Sequence, residues 1–349
     1  MIISNNRSNY YIYWFSYFNI SLPSVRYRAK YFLHKLNHLY GVKYDLVVPG
    51  YKIQEIIMFL IVYISALFFR KKRSIIVVQK VNSFGVYARL LKLLIKFRKE
   101  YTIYDTDDAD YTRFNPSNIH YFMKNCSICC VGSENLRQYT QKLNKNTFII
   151  TTPVFTGLFD PSFNRTPFTV GWIGFYRGHK ESLKTLLFPA IKRIKFNLDF
   201  ILMGVLPVDK HEILTYFSEN TNINVIIPDS IDWYNEKEVY KMINTFSLGT
   251  SPLIDNEFNR SKSAFKLKQY QACGVPVLTS PVGENCYFLE NGVSGFFCKD
   301  HFEFYEKINL VYKLSNDEYN KMCNCSFENS FKYSFEKVCS DYFNIINES

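Results

Sequence analysis

Two lysines, a glutamine and a cysteine at helical spacing are the residues that most plainly indicate chemistry. Lys262, Lys266, Gln269 and Cys273 lie at offsets of 0, 4, 7 and 11 in the stretch SPLIDNEFNRSKSAFKLKQYQACGVPVLTSP. A helix over 263–273 would place them on one stripe, with both ammonium groups at its N-terminus. The macrodipole disfavours cations there, whereas a bound diphosphate would attract both lysines and the free N–H groups of the first turn. The stripe therefore predicts an anion site, and a solvated lysine face is the alternative.

The predicted helix has signals at both ends. Ser261 or Ser263 is the expected capping hydroxyl, and Gly274 stands where helices commonly end. A strand over 246–250 precedes the helix, and Pro276 bars further helix before the next strand. The order strand, loop, helix, strand is that of an α/β sheet.

Charged residues also stand beside earlier predicted elements. Asp105, Asp107 and Asp108 follow the predicted strand 101–104 in DTDDAD, and Arg26 and Arg28 begin a predicted helix after Pro23. The acids resemble a D-x-D pair that could hold a divalent cation, but first-turn acids of a helix give the same pattern. The two arginines are cations at a helix N-terminus, which indicates either an anionic ligand or a surface pair.

Two glycine turns follow strands in the second half of the chain. Open α/β sheets bind ligands at the carboxyl ends of their strands, so these turns are candidate binding loops. No G-x-G-x-x-G or G-x-x-x-x-G-K-[ST] motif is present. The candidate residues are Gly174, Arg177 and Lys180 in the first turn, and Gly283, Glu284 and Asn285 in the second.

Strand and helix patterns alternate along the whole chain, and 349 residues suit two domains. We expect an N-terminal Rossmann-like domain over 1–160, a C-terminal Rossmann-like domain over 161–330 and a closing helix over 331–349. The charge of 42 basic minus 31 acidic residues, +11, favours an anionic partner. Nine cysteines without paired spacing predict buried, reduced thiols rather than a zinc site.

A run of apolar residues over 56–69 ends at the basic cluster 70–73. It is shorter than the roughly 20 residues that a spanning helix needs. A buried helix explains the run, and a peripheral contact with an anionic membrane surface is the alternative. Because residues 1–8 are polar and no signal peptide follows, we expect a cytoplasmic protein, with possible attachment to the inner face of the cytoplasmic membrane.

The segment ACGVPV at 272–277 resembles the corresponding turn of the family-4 glycosyltransferases, which have the GT-B fold. The form K-S-x-F-K-L-x-Q-Y resembles a bacterial surface-polysaccharide branch of that family. In the family, two glutamates precede this turn and contact the donor sugar and the nucleotide ribose. Here Ser261 and Gln269 stand in their places, so this sequence departs from the family pattern at both positions.

The resemblance implies an α/β GT-B fold with two Rossmann-like domains facing across a cleft, and a role for each candidate residue. Donor-binding residues would be Gly174, Arg177 or Lys180, Lys262, Lys266, Gln269, Gly283, Glu284 and Asn285. Acceptor-binding residues would be Arg26, Arg28 and Asp105. Catalytic residues would be Asp107, Asp108 and Lys266, and the lysines would neutralise the leaving diphosphate without a metal ion.

The predicted function is therefore transfer of a sugar from a nucleotide-diphosphate donor to a surface-glycan or lipid-linked acceptor, with retention as the family's outcome. The nucleotide-sugar is a substrate, and no cofactor is expected. Loss of both glutamates leaves a non-catalytic nucleotide-sugar-binding or scaffold protein as the alternative. A nucleic-acid-modifying glycosyltransferase would fit the net charge only, because the basic residues form no single block, and no nucleic-acid partner is expected.

Overall fold

The computed structural model of the chain describes residues 9–50, 52–68, 73–82, 85–98, 101–163 and 165–348. The polar start of the chain at 1–8 and residues 69–72 of the apolar and basic run lie outside this part. The chain forms two compact units. The first contains residues 1–153, 261–263 and 335–349, and the second contains residues 154–260 and 264–334.

The first unit is built on a parallel six-stranded sheet in the order β2-β1-β3-β4-β5-β6. Its strands are β1 (Tyr11–Ser16), β2 (Lys43–Val47), β3 (Ser74–Gln79), β4 (Thr102–Thr106), β5 (Ile128–Val131) and β6 (Thr147–Ile149). The connecting helices are α1 (Pro23–Val25), α2 (Tyr31–Tyr40), α3 (Ile53–Phe68), α4 (Val86–Phe97), α5 (Ser117–Asn125) and α6 (Glu134–Thr140), with a π-helical turn at Arg26–Lys30. The strand order reverses between β1 and β3, where open α/β sheets form a ligand crevice.

The second unit has a parallel six-stranded sheet in the order β12-β11-β10-β7-β8-β9. Its strands are β7 (Thr169–Ile173), β8 (Leu198–Met203), β9 (Ile223–Ile226), β10 (Leu248–Ser251), β11 (Val277–Thr279) and β12 (Gly295–Phe297). Its helices are α7 (Lys180–Ser182), α8 (Phe188–Lys192), α9 (Pro207–Phe217), α10 (Glu236–Ile243), α11 (Glu257–Arg260), α12 (Phe265–Ala272), α13 (Asn285–Phe288), α14 (His301–Lys313) and α15 (Asn316–Ser330), with a π-helical turn at Leu183–Leu187 between α7 and α8. This is the Rossmann strand order, and its reversal lies between β7 and β10. The prediction of an α/β fold is confirmed.

Both sheets lie in the interior because their strands are apolar. All six residues of β3 and all five of β7 are buried, as parallel strands covered by helices on both faces require. The nine cysteines are free thiols and seven are buried, which agrees with their apolar surroundings in the sequence. No helix in the described part of the chain has the length and apolar character needed to cross a membrane.

The helix that was predicted to place Lys262 and Lys266 on one stripe starts later than predicted. α12 begins at Phe265, and Ala264 before it has a left-handed backbone with φ 52° and no side-chain cap. The prediction of a helix from 263 with a serine cap is therefore wrong, and Lys262 does not share the helical stripe. The predicted end is confirmed, because the helix ends at Ala272 and Gly274 has φ 68°.

The last helix, α16 (Phe335–Glu348), belongs to the first unit. The Phe343 ring stacks on Tyr40 with centroids 4.1 Å apart, and Tyr342 packs edge-on against Phe32 at 5.1 Å. Tyr342 is almost fully buried. The end of the chain therefore completes the core beside α2.

Candidate functional site

A buried lysine with three aspartates lies at the strand-order reversal of the first unit. Lys80 directly follows β3 and has a left-handed backbone with φ 53°. Its side chain is 3% exposed, and its ammonium group lies 3.0 Å from Asp107, 2.5 Å from Asp108 and 3.7 Å from Asp110. A non-glycine residue in this backbone region is strained and is held there by its surroundings. We call these four residues the Lys80 cluster.

The charges of the Lys80 cluster shift its pKa values in opposite directions. Burial alone would lower the pKa of Lys80, but the three carboxylates outweigh it and raise the pKa well above its ordinary value. Burial would raise the pKa of Asp108, but Lys80 outweighs it and the pKa is lowered. Burial raises the pKa of Asp110 from 3.8 to about 6. A carboxyl group with such a pKa can exchange a proton near neutral pH.

Arg28 and Asp105 form a separate buried ion pair. Arg28 Nε and Nη2 donate to the two carboxylate oxygens of Asp105 at 3.0 and 2.6 Å, and both side chains are 2% exposed. Burial alone would lower the pKa of Arg28, but the Asp105 carboxylate raises it. Arg26 is also buried and donates to the Ser21 carbonyl at 2.7 Å. The three acceptor-site candidates are thus interior residues, and a surface arginine pair is excluded.

Lys262 lies in the short segment 261–263 of the first unit. Ser133 Oγ donates to the Ser261 carbonyl at 2.8 Å, and Asn135 Nδ2 donates to Ser261 Oγ at 2.6 Å. Burial lowers the pKa of Lys262 to about 8, while the charge of Asp108 opposes that shift. The segment therefore holds a readily deprotonated amine near the most exposed carboxylate of the Lys80 cluster.

In the second unit, Lys266 meets the first glycine turn at the strand-order reversal. Its Nζ is 2.8 Å from Nε2 of His179 and 5.8 Å from the ring centroid of Trp172. Gly174 has φ 147°, and a Cβ built there would stand 2.6 Å from Cε of Lys266. The positive φ favours glycine, and a side chain at this position would require the lysine stem to shift. Lys266, Gly174 and His179, which we call the lysine turn, thus bring a cation to the carboxyl edge of β7, where an anion can bind.

The two other basic candidates pair with carboxylates of α9. Arg177 Nε donates to Asp209 at 2.8 Å, and Lys180 Nζ donates to Glu212 at 2.7 Å. Both basic side chains keep 40% or more of their surface exposed. Lys180 can therefore turn to a ligand at small cost, because exposed ion pairs are worth at most about 1 kcal/mol. Arg177 would leave the buried Asp209 carboxylate without this partner, at a larger cost.

The second glycine turn packs tightly beside α11. Gly283 has φ 55°, and a Cβ there would collide with the backbone of Arg260. Glu284 and Asn285 are buried, and Asn285 Nδ2 donates to the Ser280 carbonyl at 3.2 Å. Gln269 on α12 is also buried. Three of the predicted residues, Gln269, Glu284 and Asn285, are therefore interior, whereas Gly283 is half-buried.

Sequence reasoning missed several residues of these arrangements. Lys80 directly follows the apolar segment 74–79, and Asp110 is the last acid of DTDDAD. His179 stood unremarked between two basic candidates. The position after a buried strand was the available signal for Lys80, because such positions line the ligand edge of a parallel sheet.

No group of three or more histidine, cysteine, aspartate or glutamate side chains in the described residues is arranged to hold a metal ion. In the Lys80 cluster an ammonium group occupies the centre of the three carboxylates.

No protein-family model and no curated protein sequence matches this chain. Solved structures do match. The structure of Anabaena HepE in complex with UDP is 11% identical and has a TM-score of 0.68, covering 97% of this chain and 100% of that one. Sucrose-phosphate synthase from Thermosynechococcus elongatus is 12% identical with a TM-score of 0.71, covering 97% and 98%. A glycosyltransferase from Rickettsia africae is 11% identical with a TM-score of 0.65, covering 98% and 99%.

These matches extend over both units of the chain and concern its fold. The two parallel six-stranded sheets, with helices on their faces, are the architecture that the chain shares with them. The chain has the α/β GT-B fold, as the sequence predicted.

Proposed function

We propose that the chain is a glycosyltransferase that moves a sugar from a nucleotide-diphosphate donor to a glycan or lipid-linked acceptor. The observation that carries this proposal is the lysine turn, where the Lys266 stem lies against Gly174 and its ammonium group contacts His179 at the strand-order reversal of a Rossmann-type sheet. Nucleotides bind at this place in such sheets. Solved structures with this fold include complexes with UDP and UDP-glucose.

The donor diphosphate would interact with Lys266, and with Arg177 or Lys180 once it exchanges its carboxylate partner. Charge neutralisation of the departing diphosphate is the main electrostatic task of such a reaction. Gln269 would donate or accept a hydrogen bond at the ribose, and the turn of Gly283, Glu284 and Asn285 would hold the sugar. Lys262 remains a predicted donor ligand.

The acceptor would be bound by the first unit. Asp107 and Asp108 would orient the acceptor hydroxyl and receive its proton, and Lys80 would fix the positions of both carboxylates. Arg28 and Asp105 would act as positioning residues, because they already satisfy each other. Arg26 remains a predicted acceptor ligand.

The finer proposals come from the sequence resemblance: membership of glycosyltransferase family 4, a surface-polysaccharide or lipopolysaccharide acceptor, and transfer with retention. We also propose that neither a metal ion nor a cofactor takes part, with basic side chains providing the positive charge. Unchanged transfer in the presence of EDTA is the expected result, and NMR of the anomeric proton of the product reports retention.

Calorimetric titration with a panel of nucleoside diphosphates, followed by chromatography of nucleotide-sugar reactions, tests the main proposal. We expect binding of one nucleoside diphosphate and its release from one nucleotide-sugar. No binding across the panel would contradict it. The absence of carboxylates at Ser261 and Gln269 favours one second candidate, a non-catalytic nucleotide-sugar-binding protein. That candidate predicts that the protein binds a nucleotide-sugar but releases no nucleoside diphosphate from it, with or without an acceptor extract.

A further inference from the structure

We propose that the outer faces of α3 and α4 form a docking surface for an anionic lipid bilayer. α3 is a 16-residue helix in which only Val62, Tyr63 and Ala66 are buried. Its outer stripe is entirely apolar, where an ordinary surface helix carries polar residues. The stripe, 43% to 75% exposed, consists of Ile53, Ile57, Leu60, Ile61, Ile64 and Phe68.

α4 extends the apolar surface. Val86, Leu93 and Phe97 on it are 72%, 44% and 62% exposed. The two helices pack together, since Tyr63 Oη donates to the Leu90 carbonyl at 3.0 Å and the rings of Phe59 and Tyr87 lie 5.0 Å apart. Arg98 Nη1 also donates to the Ala66 carbonyl. The exposed apolar residues therefore belong to one fixed surface.

Positive charge accompanies this surface. Arg89 and Lys96 are exposed among the apolar residues of α4, and Arg73 is exposed beyond α3. The one acidic residue in the described parts of α3 and α4 is Glu55, in the first turn of α3. An apolar surface with exposed cations on its own and adjoining elements matches an interface of acyl chains and anionic headgroups.

The dimensions of α3 fit a helix lying in the plane of the membrane. At 16 residues it is about 24 Å long, less than the roughly 30 Å hydrocarbon core of a bilayer. A helix lying flat would bury the stripe while α4 places Arg89 and Lys96 at the headgroups. The occupant is therefore a lipid surface, and self-association through the same face is an outcome that the test distinguishes.

Flotation of the full chain with phosphatidylcholine vesicles, with and without phosphatidylglycerol, tests the proposal. We expect the protein to float with the anionic vesicles and to partition at least about tenfold less after Ile57→Ser/Ile61→Ser/Ile64→Ser. Arg89→Glu/Lys96→Glu should reduce flotation at low salt, because it reverses charge beside anionic headgroups. The matched control is Val208→Ser/Leu214→Ser, which removes exposed apolar residues of α9 and should float like the wild type.

Melting temperatures of all variants establish that each is folded, and we expect them to match the wild type because the replaced side chains are exposed. Folded wild type that stays at the bottom of the gradient beside anionic vesicles would overturn the proposal. Flotation of the Ile57→Ser/Ile61→Ser/Ile64→Ser variant at the wild-type level would also overturn the proposal. Light scattering identifies the other occupant: a wild-type dimer that the triple variant converts to a monomer, without flotation, would assign the face to a second copy of the chain.

Discussion

The position of the Lys266 side chain depends on the absence of a side chain at Gly174. The lysine stem crosses the turn where any side chain at Gly174 would stand, and its ammonium group then contacts Nε2 of His179. The ammonium group can donate to this nitrogen when the imidazole ring carries its proton on Nδ1. The cation is thereby held at the end of β7 before any donor arrives.

Lys266→Ala should weaken nucleoside-diphosphate binding by roughly 10- to 150-fold, because it removes one charge-assisted hydrogen bond worth about 1.5–3 kcal/mol. Its melting temperature should be unchanged or higher, since alanine has a better helix propensity and the mutation removes a cation from the first turn of α12. Calorimetric titration and thermal melting measure the two quantities. Lys237→Ala, at an exposed lysine of α10, is the control, and equal affinities in both variants would exclude Lys266 from the site.

Asp110→Asn should stabilise the chain at pH 8 and have little effect at pH 4. The pKa of Asp110 is raised from 3.8 to about 6, so the folded chain holds this proton more tightly than the unfolded chain. The stability that the protonated group contributes is present in full below about pH 4 and is lost as the pH rises through about 6. Melting temperatures across this range should diverge for the two proteins. Asp317→Asn, at an exposed acid, is the control, and a pH-independent difference for Asp110→Asn would contradict the prediction.

A candidate site residue could be predicted from the sequence where a local pattern identified it, but not where its position depends on contacts with distant residues. Asp107, Asp108 and Lys266 could be predicted as site residues because each stands near the end of a strand or the start of a helix in the sequence itself. His179 and Lys80 acquire their partners from residues 87 and at least 27 positions away, and no local pattern encodes such contacts. The buried ion pair of Arg28 and Asp105 was hidden for the same reason.

At the scale of elements, α12 shows how local signals mislead. Two serines near Lys262 gave a plausible cap, yet the chain reaches the helix through Ala264 in a left-handed conformation. Ser261 instead bonds with Ser133 and Asn135 of the first unit, so a tertiary contact replaced the cap. The C-terminal signal was reliable because Gly274 acts through its own backbone.

Gly274→Ala should destabilise the second unit more than Gly157→Ala does. Both glycines have φ near +70°, but a Cβ at Gly274 would stand 2.5 Å from Cβ of Pro161, whereas Gly157 has open space. Each variant carries the left-handed strain of about 1 kcal/mol, and only Gly274→Ala adds a steric clash, worth a further 1–3 kcal/mol. Urea denaturation measures both changes, and equal destabilisation would show that Pro161 moves away at no cost.

At the scale of the molecule, the alternation of strands and helices predicted the α/β architecture, because parallel strands buried on both faces have a distinct apolar pattern. The exposed stripe of α3 was not predictable in the same way. An apolar run of this length suits a core helix and a membrane-surface helix equally, and only the packing of Val62, Tyr63 and Ala66 reveals which residues face outward.

Tyr342→Ala should destabilise the first unit by about 3–5 kcal/mol, because it removes a buried aromatic ring from the core. The ring packs against Phe32 of α2, so hydrogen exchange should accelerate in α2 and β1 while the α9 region stays protected. Mass spectrometry of exchanged peptides locates the effect. Asn344→Ala, at an exposed position of α16, is the control, and uniform acceleration in both units would contradict the prediction.

The placement of α16 in the first unit also determines when that unit can be completed on the ribosome. Phe32 and Tyr40 are synthesised well before Tyr342 and Phe343, which cover them. At synthesis rates of about 5–20 residues per second, the delay from residue 153 to residue 335 is on the order of 10–40 s. During that time the nascent chain lacks the aromatic rings of α16 that cover Phe32 and Tyr40, so we expect chaperones that bind apolar segments to bind it there.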